Sequence, residues 1–441
     1  MSIFGMPSRR HFLKHMAGAA AVTVPGMQFV ERLRAAAPVM KRQHKSMIIL
    51  WMGGGPSTID IWDLKPGSPN AGEFKPISTA ASGIQISEHM PAVAKQMKHL
   101  SIIRSLNSKE GDHDRGTRTM NTGRSPSPII DYPSIGSVAS YKLTPKELDL
   151  PAFISVGGTA QRIGPGFLGM TYAPFTVQNP GQLPENIKGE VDDARMKRRV
   201  ELFNKVEHGF TDSLKTDRKL DGPAAAKAHS DIYGKAFSLS VSQRKEIFTF
   251  DKEPKSIQDE YGNNNFGKGC LLARKLVEAG AVCVEVDLGG WDMHNGIFPA
   301  LSQRALPTLD KGMAALVRDL NDRGLWKDTV VVWMGDFGRT PKINQNAGRD
   351  HWARCWSVVV GGGNIKGGTV YGATDKDGTG IADNEVSVAD LYATLYWGIG
   401  IDPSHEKDAS VRDNLGRPFN IAGENAKPIK ELLSIDVTKT A

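Results

Sequence analysis

Thr329-Val-Val-Val-Trp-Met-Gly-Asp-Phe-Gly-Arg-Thr-Pro341 is the stretch that decides the fold class. Its first half is a short, continuous apolar run rich in β-branched residues. Such a run reads as a strand buried on both faces, the pattern of a parallel sheet rather than of a half-exposed antiparallel one. It stops abruptly at Gly335-Asp336. Ligands of open α/β sheets gather at the carboxyl ends of such strands. Asp336, Arg339 just beyond it and His351 in Gly348-Arg-Asp-His-Trp352 are therefore candidates to hold a metal and an anion.

Outward from this segment, residues 45–52, 99–104, 151–156, 281–288 and 356–361 also read as strands. Amphipathic stretches lie between them. Residues 266–279 carry Leu271, Leu272, Leu276 and Val277 at helical spacing and stop at Gly280. Residues 301–323, broken or begun at Pro307, and residues 386–398 read as further helices. Strands alternating with helices predict an α/β fold: a mostly parallel central sheet sandwiched by helices. Residues 185–262 are charged and poor in strand signals, which predicts a helical insertion, solvated or covering a substrate. Residues 64–88 and 107–132 read as long Pro/Gly/Ser-rich loops, of the kind that are functional or mobile.

The totals exclude several classes. The 441 residues are 40% hydrophobic and 23% charged, enough core for one large or two smaller domains and not a disordered composition. No run reaches the 18 or so apolar residues of a membrane span. Ser8-Arg-Arg-His-Phe-Leu-Lys14, a weakly apolar stretch and Ala35-Ala-Ala37 together read as a twin-arginine export signal over residues 1–37, with the remaining domain at 38–441. That reading implies the twin-arginine export machinery as a partner and a periplasmic or secreted location. The leader carries a net +4, so removing it from the formal +7 leaves +3, which is no footprint for nucleic acid. Cys270, Cys283 and Cys355 show no metal or disulfide spacing and read as buried thiols.

Four loops carry chemistry. Gly53, Gly54 and Gly55 follow the first strand and free the backbone to form a nest of N–H groups for an anion; Ser57, a candidate catalytic hydroxyl, Asp60 and Asp63 come next. His113 stands between two aspartates in the second loop, open to a role as nucleophile, acid/base or metal ligand. Asp292 and His294 are two apart, so in extended backbone both project to one side and can ligate one ion. In the fourth, Asp336 is a candidate ligand and Arg339 an anion clamp; His351 can complete a metal shell that Asp350 or Arg349 orients, with Arg349 also a candidate substrate contact.

In this order, Gly53-Gly-Gly-Pro-Ser-Thr-Ile-Asp60, Gly289-Gly-Trp-Asp-Met-His294, Gly335-Asp-Phe-Gly-Arg-Thr-Pro-Lys-Ile343, Gly348-Arg-Asp-His-Trp352 and Gly416-Arg-Pro418 resemble the alkaline phosphatase/sulfatase clan. More closely, the chain resembles an exported branch of that clan known as a domain of unknown function, over residues 46–433. The resemblance implies an alkaline-phosphatase-like fold and a metal site built from Asp and His at strand ends. Carried over by position, Asp292, His294 and His351 take one metal and Asp336 another. Phe337 stands where the clan has His, and Gly53 to Gly55 where it has Asp, with Asp60 as a substitute ligand. The ion implied is divalent, zinc or calcium, with one ion rather than two as the alternative. Aligning on Thr122-Gly-Arg124 puts His113 in the slot of the formylglycine precursor, which argues against formylglycine chemistry. The expected function is an exported, metal-dependent hydrolase of phosphate or sulfate esters, on small molecules or polysaccharides. The alternative is a catalytically degenerate member that binds anions or polysaccharides.

Overall fold

The strand Ser46–Gly53 (β1) divides its side chains between two cores. The computed structural model describes residues 44–145, 147–187, 243–403, 410–413 and 415–437, with a few positions between 194 and 205. The expected export signal and most of the expected helical insertion lie outside the described residues. Ile48, Leu50 and Met52 of β1 share one core with Leu271 and Leu276 of Asn265–Glu278 and with Leu309 and Leu316 of Leu306–Asp322. Met47, Ile49 and Trp51 share the other with Val138 and Ala139 of Ile135–Leu143 and with Leu391 and Leu395 of Val388–Gly398. Each such side chain contributes about 1.5–3 kcal/mol by leaving water, on both faces at once. That is why the run is apolar without alternation.

The remaining strands of the sheet are Leu100–Asn107 (β2), Phe153–Val156 (β3), Phe175–Val177 (β4), Cys283–Gly289 (β5), Thr329–Gly335 (β6), Trp356–Gly362 (β7), Val370–Tyr371 (β8) and Val386–Ser387 (β9). Their order is β8-β2-β7-β6-β1-β5-β3-β4, with β9 also beside β2. All neighbours are parallel except β7, which runs antiparallel to both β2 and β6. The expected α/β architecture, a mostly parallel sheet between helices, is what forms. The register aligns the ends of the central strands: Gly53 of β1 lies opposite Gly289 of β5, and Met52 opposite Gly335 of β6. Three loops thus leave the sheet at one level.

One segment expected as loop is helical. His113–Thr122 (α1) starts at Asp112, whose side chain accepts the Arg115 N–H, and ends at Gly123 with φ +75°. The N-cap carboxylate and the left-handed glycine are ordinary helix boundaries. They were hidden by the density of Asp, Arg and Gly around them. No helix among the described residues is long and apolar enough to cross a membrane.

Arg274 in Asn265–Glu278 (α3, with α2 at Ile135–Leu143) anchors the helical layer. Its guanidinium is almost wholly buried and bonds Glu253 at 2.6 Å, Glu278 at 2.7 Å and Asp319 at 2.9 Å; Tyr261 also donates to Asp319, at 3.0 Å. Removing one partner of such a buried network leaves charges without compensation. Arg274→Ala is therefore expected to cost about 3–5 kcal/mol, read as a lowered denaturation midpoint in urea. A loss under about 0.5 kcal/mol, the range of ordinary surface changes, would contradict this account.

Candidate metal centre and its cavity

Asp292 and His294 lie in the loop after β5, Asp336 directly after β6, and His113 at the start of α1, which follows β2. His351 arrives differently. A small antiparallel ladder pairs His351–Trp352 with Gly338–Arg339, setting His351 opposite Arg339. The chain after β6 thus folds back and returns an imidazole to the strand ends.

Three imidazoles converge on one carboxylate oxygen. Asp292 Oδ1 lies 2.9 Å from His294 Nε2, 3.3 Å from His351 Nε2 and 3.4 Å from His113 Nε2. His294 Nε2 and His351 Nε2 are 3.1 Å apart. A tetrahedral ion with ligand bonds of about 2.0–2.1 Å has donor atoms about 3.3 Å apart. The observed spacings bracket that edge length. His113 Nε2 is buried and has no hydrogen-bond partner, as a nitrogen reserved for an ion would be. His113, His351 and Asp292 offer ligand atoms close enough together to share one divalent ion, and His294 Nε2 adjoins them with Arg339 Nη1 3.3 Å away.

The opposite edge of each ring is held. His351 Nδ1 donates to the carbonyl of Gly111 at 2.8 Å, His113 Nδ1 to Asp336 at 2.6 Å and His294 Nδ1 to Asp350 at 2.7 Å. Carbonyls and carboxylates accept, so the acceptors assign the hydrogens to Nδ1 and leave the Nε2 lone pairs facing inward. The Asp336 hydrogen bond raises the His113 pKa above its ordinary value, with Asp292 adding to it against the effect of burial. Burial pushes the Asp292 pKa up, but the hydrogen bond and charge of Arg339 outweigh it and hold the carboxyl well below the usual range. Phe337 is fully buried, with ring centroids 4.8 Å from His113 and 4.6 Å from His351. Where the resemblance expected a histidine, an apolar wall supports two of the imidazoles.

The structure places the other candidates away from the roles the sequence suggested. Asp336 reaches the centre through His113, while its second oxygen accepts the Phe337 N–H at 3.2 Å; it orients a ligand rather than joining the four donors. Arg339 has a wholly buried side chain. It donates to Gly55 O at 2.7 Å, Arg349 O at 3.2 Å, Asp292 at 2.5 Å and to Gly54 O. With its donors so engaged, it ties the first loop to the Asp292 loop and is not free to clamp an anion. The glycines answer the same constraint. Gly54 has φ +109°, and a Cβ there would sit 2.6 Å from the Asp292 backbone nitrogen. Gly54 and Gly55 direct carbonyls at Arg339; Gly53 lies at the cavity wall.

Ser57, Asp60 and Arg349 form a separate buried network. Arg349 bonds Asp60 through both Nε (2.7 Å) and Nη2 (2.9 Å), and Ser57 Oγ donates to Asp60 at 2.6 Å. All three are at most 1% exposed. A buried carboxylate whose charge is met by a bidentate guanidinium and a hydroxyl is turned away from the four donors, and neither Ser57 nor Arg349 reaches solvent to meet substrate. Their part is to brace the loop after β1 against the loop that carries His351.

Beside the four donors lies a cavity of about 510 Å³ lined by His113, Asp292, Asp336, Arg118, Arg162 and Asp287, among others. Arg118 and Arg162 are cations the sequence reading did not single out. The signal was present for Arg118: once 113–122 is a helix, His113 and Thr117 share a face by their spacing, and Arg118 adjoins it. Arg162, on the short helix Thr159–Ile163, had no such signal.

Among solved structures, the chain resembles Ps i-CgsB (11% identity, TM-score 0.39) over 81% of this chain and 72% of that one. It resembles the PsFucS1 sulfatase from Pseudoalteromonas sp. (12% identity, TM-score 0.38) over 84% and 70%. A protein in the alkaline phosphatase superfamily from Vibrio parahaemolyticus aligns at 12% identity and TM-score 0.33, over 81% and 67%. No curated protein sequence matches the chain. Residues 44–433 match the model of a family described as a protein of unknown function (DUF1501), and the chain belongs to that family.

Proposed function

We propose that this protein is an exported, metal-dependent hydrolase of phosphate or sulfate esters that works without formylglycine. The observation that carries the reading is the convergence of His113, His294 and His351 on Asp292 at the wall of a cavity that also holds two arginines. Three imidazole nitrogens favour zinc or a similar transition metal over calcium, which takes oxygen ligands. One ion accords with the ligands: among the described residues the only cluster of this kind consists of His113, Asp292 and His351, with His294 beside it, and Phe337 lies where a further imidazole would be needed. When bound, such an ion polarises an ester oxygen and acidifies a water molecule.

The protein's own groups do the rest. Asp336, Asp350 and the Gly111 carbonyl fix three ring orientations, so the donors need no rearrangement. His113 spends Nε2 on the centre and Nδ1 on Asp336, which removes it from the list of nucleophiles. Arg118 and Arg162 place positive charge along the cavity, where a phosphoryl or sulfuryl group would gather negative charge. The leader at residues 1–37 would route the folded chain through the twin-arginine machinery to the periplasm or beyond, where small-molecule or polysaccharide esters are the available substrates.

Protein purified from the exported fraction should contain close to one zinc-class ion per chain and hydrolyse 4-nitrophenyl phosphate or 4-nitrophenyl sulfate. Asp292→Ala and His351→Ala should lose both metal and turnover. Asp336→Asn should keep the four donors but weaken metal affinity about 10–100-fold, measured by competition with a chromophoric chelator. After chelation, zinc or cobalt should restore turnover and calcium should not. Asp60→Ala provides the contrast: a stability loss of about 3–5 kcal/mol from the stranded Arg349, with metal content retained. Native protein that binds no divalent ion, or full activity in the two ligand variants, would sink the reading. A metal-loaded protein that binds anions but turns over neither ester would favour the binding-protein alternative.

A further inference from the structure

Two acidic residues on β5 are unused by the centre described above. Glu285 and Asp287 are two apart on one strand, so both side chains leave the same face of the sheet. Glu285 is fully buried; its Oε1 accepts the Ala160 N–H at 2.6 Å. Asp287 accepts the Thr159 N–H at 2.8 Å through Oδ2 and lines the cavity that His113 and Asp292 also line. The remaining oxygens, Glu285 Oε2 and Asp287 Oδ1, are buried and have no protein donor. The two carboxyls lie close enough to influence each other's ionisation, and no Lys or Arg forms an ion pair with either among the described residues. Holding two full negative charges on buried oxygens with no paired cation is costly, and a proton shared by the two carboxyls relieves that cost.

Burial is the main cause that pushes both carboxyls above their ordinary range, Glu285 the further of the two. The other titratable groups around the pair are Arg162 on the Thr159–Ile163 helix, which works against the rise, and the buried Cys283 and Tyr392, whose own pKa values burial raises. The remaining titratable groups that line the cavity are committed. His113, Asp292 and Asp336 belong to the centre, and Asp114 is an exposed carboxylate paired with Arg118 at 3.1 Å. One oxygen of each carboxyl holds an N–H group at the start of the Thr159–Ile163 helix, which leaves the other oxygen of each, Glu285 Oε2 and Asp287 Oδ1, without a structural partner.

We propose that Asp287, sharing a proton with Glu285 behind it, is the proton donor to the leaving-group oxygen of the ester. The proposal rests on the hydrolase reading and assigns a residue that reading leaves open. As the bond from phosphorus or sulfur to the ester oxygen breaks, its electron pair goes to that oxygen, which takes the proton from the Asp287 carboxyl and departs as an alcohol. The new bond to phosphorus or sulfur comes from the oxygen of the attacking water, and the proton that water sheds returns to the pair. Ester and water become alcohol and acid, and the pair ends as it began. The substrate class follows: esters of alcohols or sugars, whose leaving oxygens need a proton, rather than activated aryl esters, whose do not.

The test compares leaving groups in the metal-loaded protein. Asp287→Asn should lose about 10²–10⁴-fold in turnover of benzyl phosphate or benzyl sulfate, with 4-nitrophenyl ester turnover changed less than about tenfold; Glu285→Gln should show the same split. A purely structural role would lower both substrates together. Independently of activity, infrared difference spectra at neutral pH should show a protonated carboxyl band that either variant abolishes. Equal losses on the two esters, or no such band in the native protein, overturn the donor role and leave the hydrolase reading standing. Native protein that turns over neither ester overturns the hydrolase reading, and the donor role with it.

Discussion

Asp292 Oδ1 is the point at which separate parts of the chain meet. Three imidazole nitrogens and the Arg339 guanidinium lie within 3.4 Å of it. The sheet makes the meeting possible. β1, β5 and β6 are adjacent, parallel and aligned so that Gly53, Met52, Gly289 and Gly335 fall at one level. Loops leaving side by side from three strands have little freedom to diverge. Glycines let them approach closely: a Cβ on Gly348 would lie 2.1 Å from the His294 carbonyl, which shows how tightly the His351 loop is laid over its neighbour.

Electrostatics then sort the polar residues into separate tasks. Asp292, beside one guanidinium and three imidazoles, stays charged. Glu285 and Asp287, a few residues earlier on β5, face backbone N–H groups. One strand and the loop that follows it thus carry a carboxylate held anionic and two carboxyls without a paired cation. Asp60 is a third type, neutralised completely by Arg349 and withdrawn from solvent. Identical side-chain chemistry is held anionic, left without a cation or fully paired, according to what stands opposite.

The buried ion pairs differ in what they secure. Arg274 gathers Glu253, Glu278 and Asp319 and so holds the segment at residue 253 to two helices of the outer layer. Arg349 and Asp60 connect loops at the rim of the sheet. Arg339 lies between structure and chemistry, because the hydrogen bonds that keep the first loop in place also set the charge on Asp292. A guanidinium was a reasonable anion clamp on residue type alone, but the carbonyls of Gly54 and Gly55 reach it first.

The strands were legible in the chain because burial on both faces demands unbroken apolar runs, and 329–335 could hardly be anything else. Asp292 and His294 were legible as neighbours because two positions along extended backbone share a side. The sequence also left His113 open among several roles, and it stayed open for a physical reason. An imidazole acts through the direction of its lone pair, which depends on what the other nitrogen touches, and for His113 that partner is 223 residues away at Asp336. The pairing of Asp60 with Arg349, 289 residues apart, was equally out of reach. Periodicity and local spacing are properties of consecutive residues and survive in the bare chain. Which distant cation or carbonyl meets a given polar atom depends on the register of the sheet and the path of its loops, and only the folded molecule decides that.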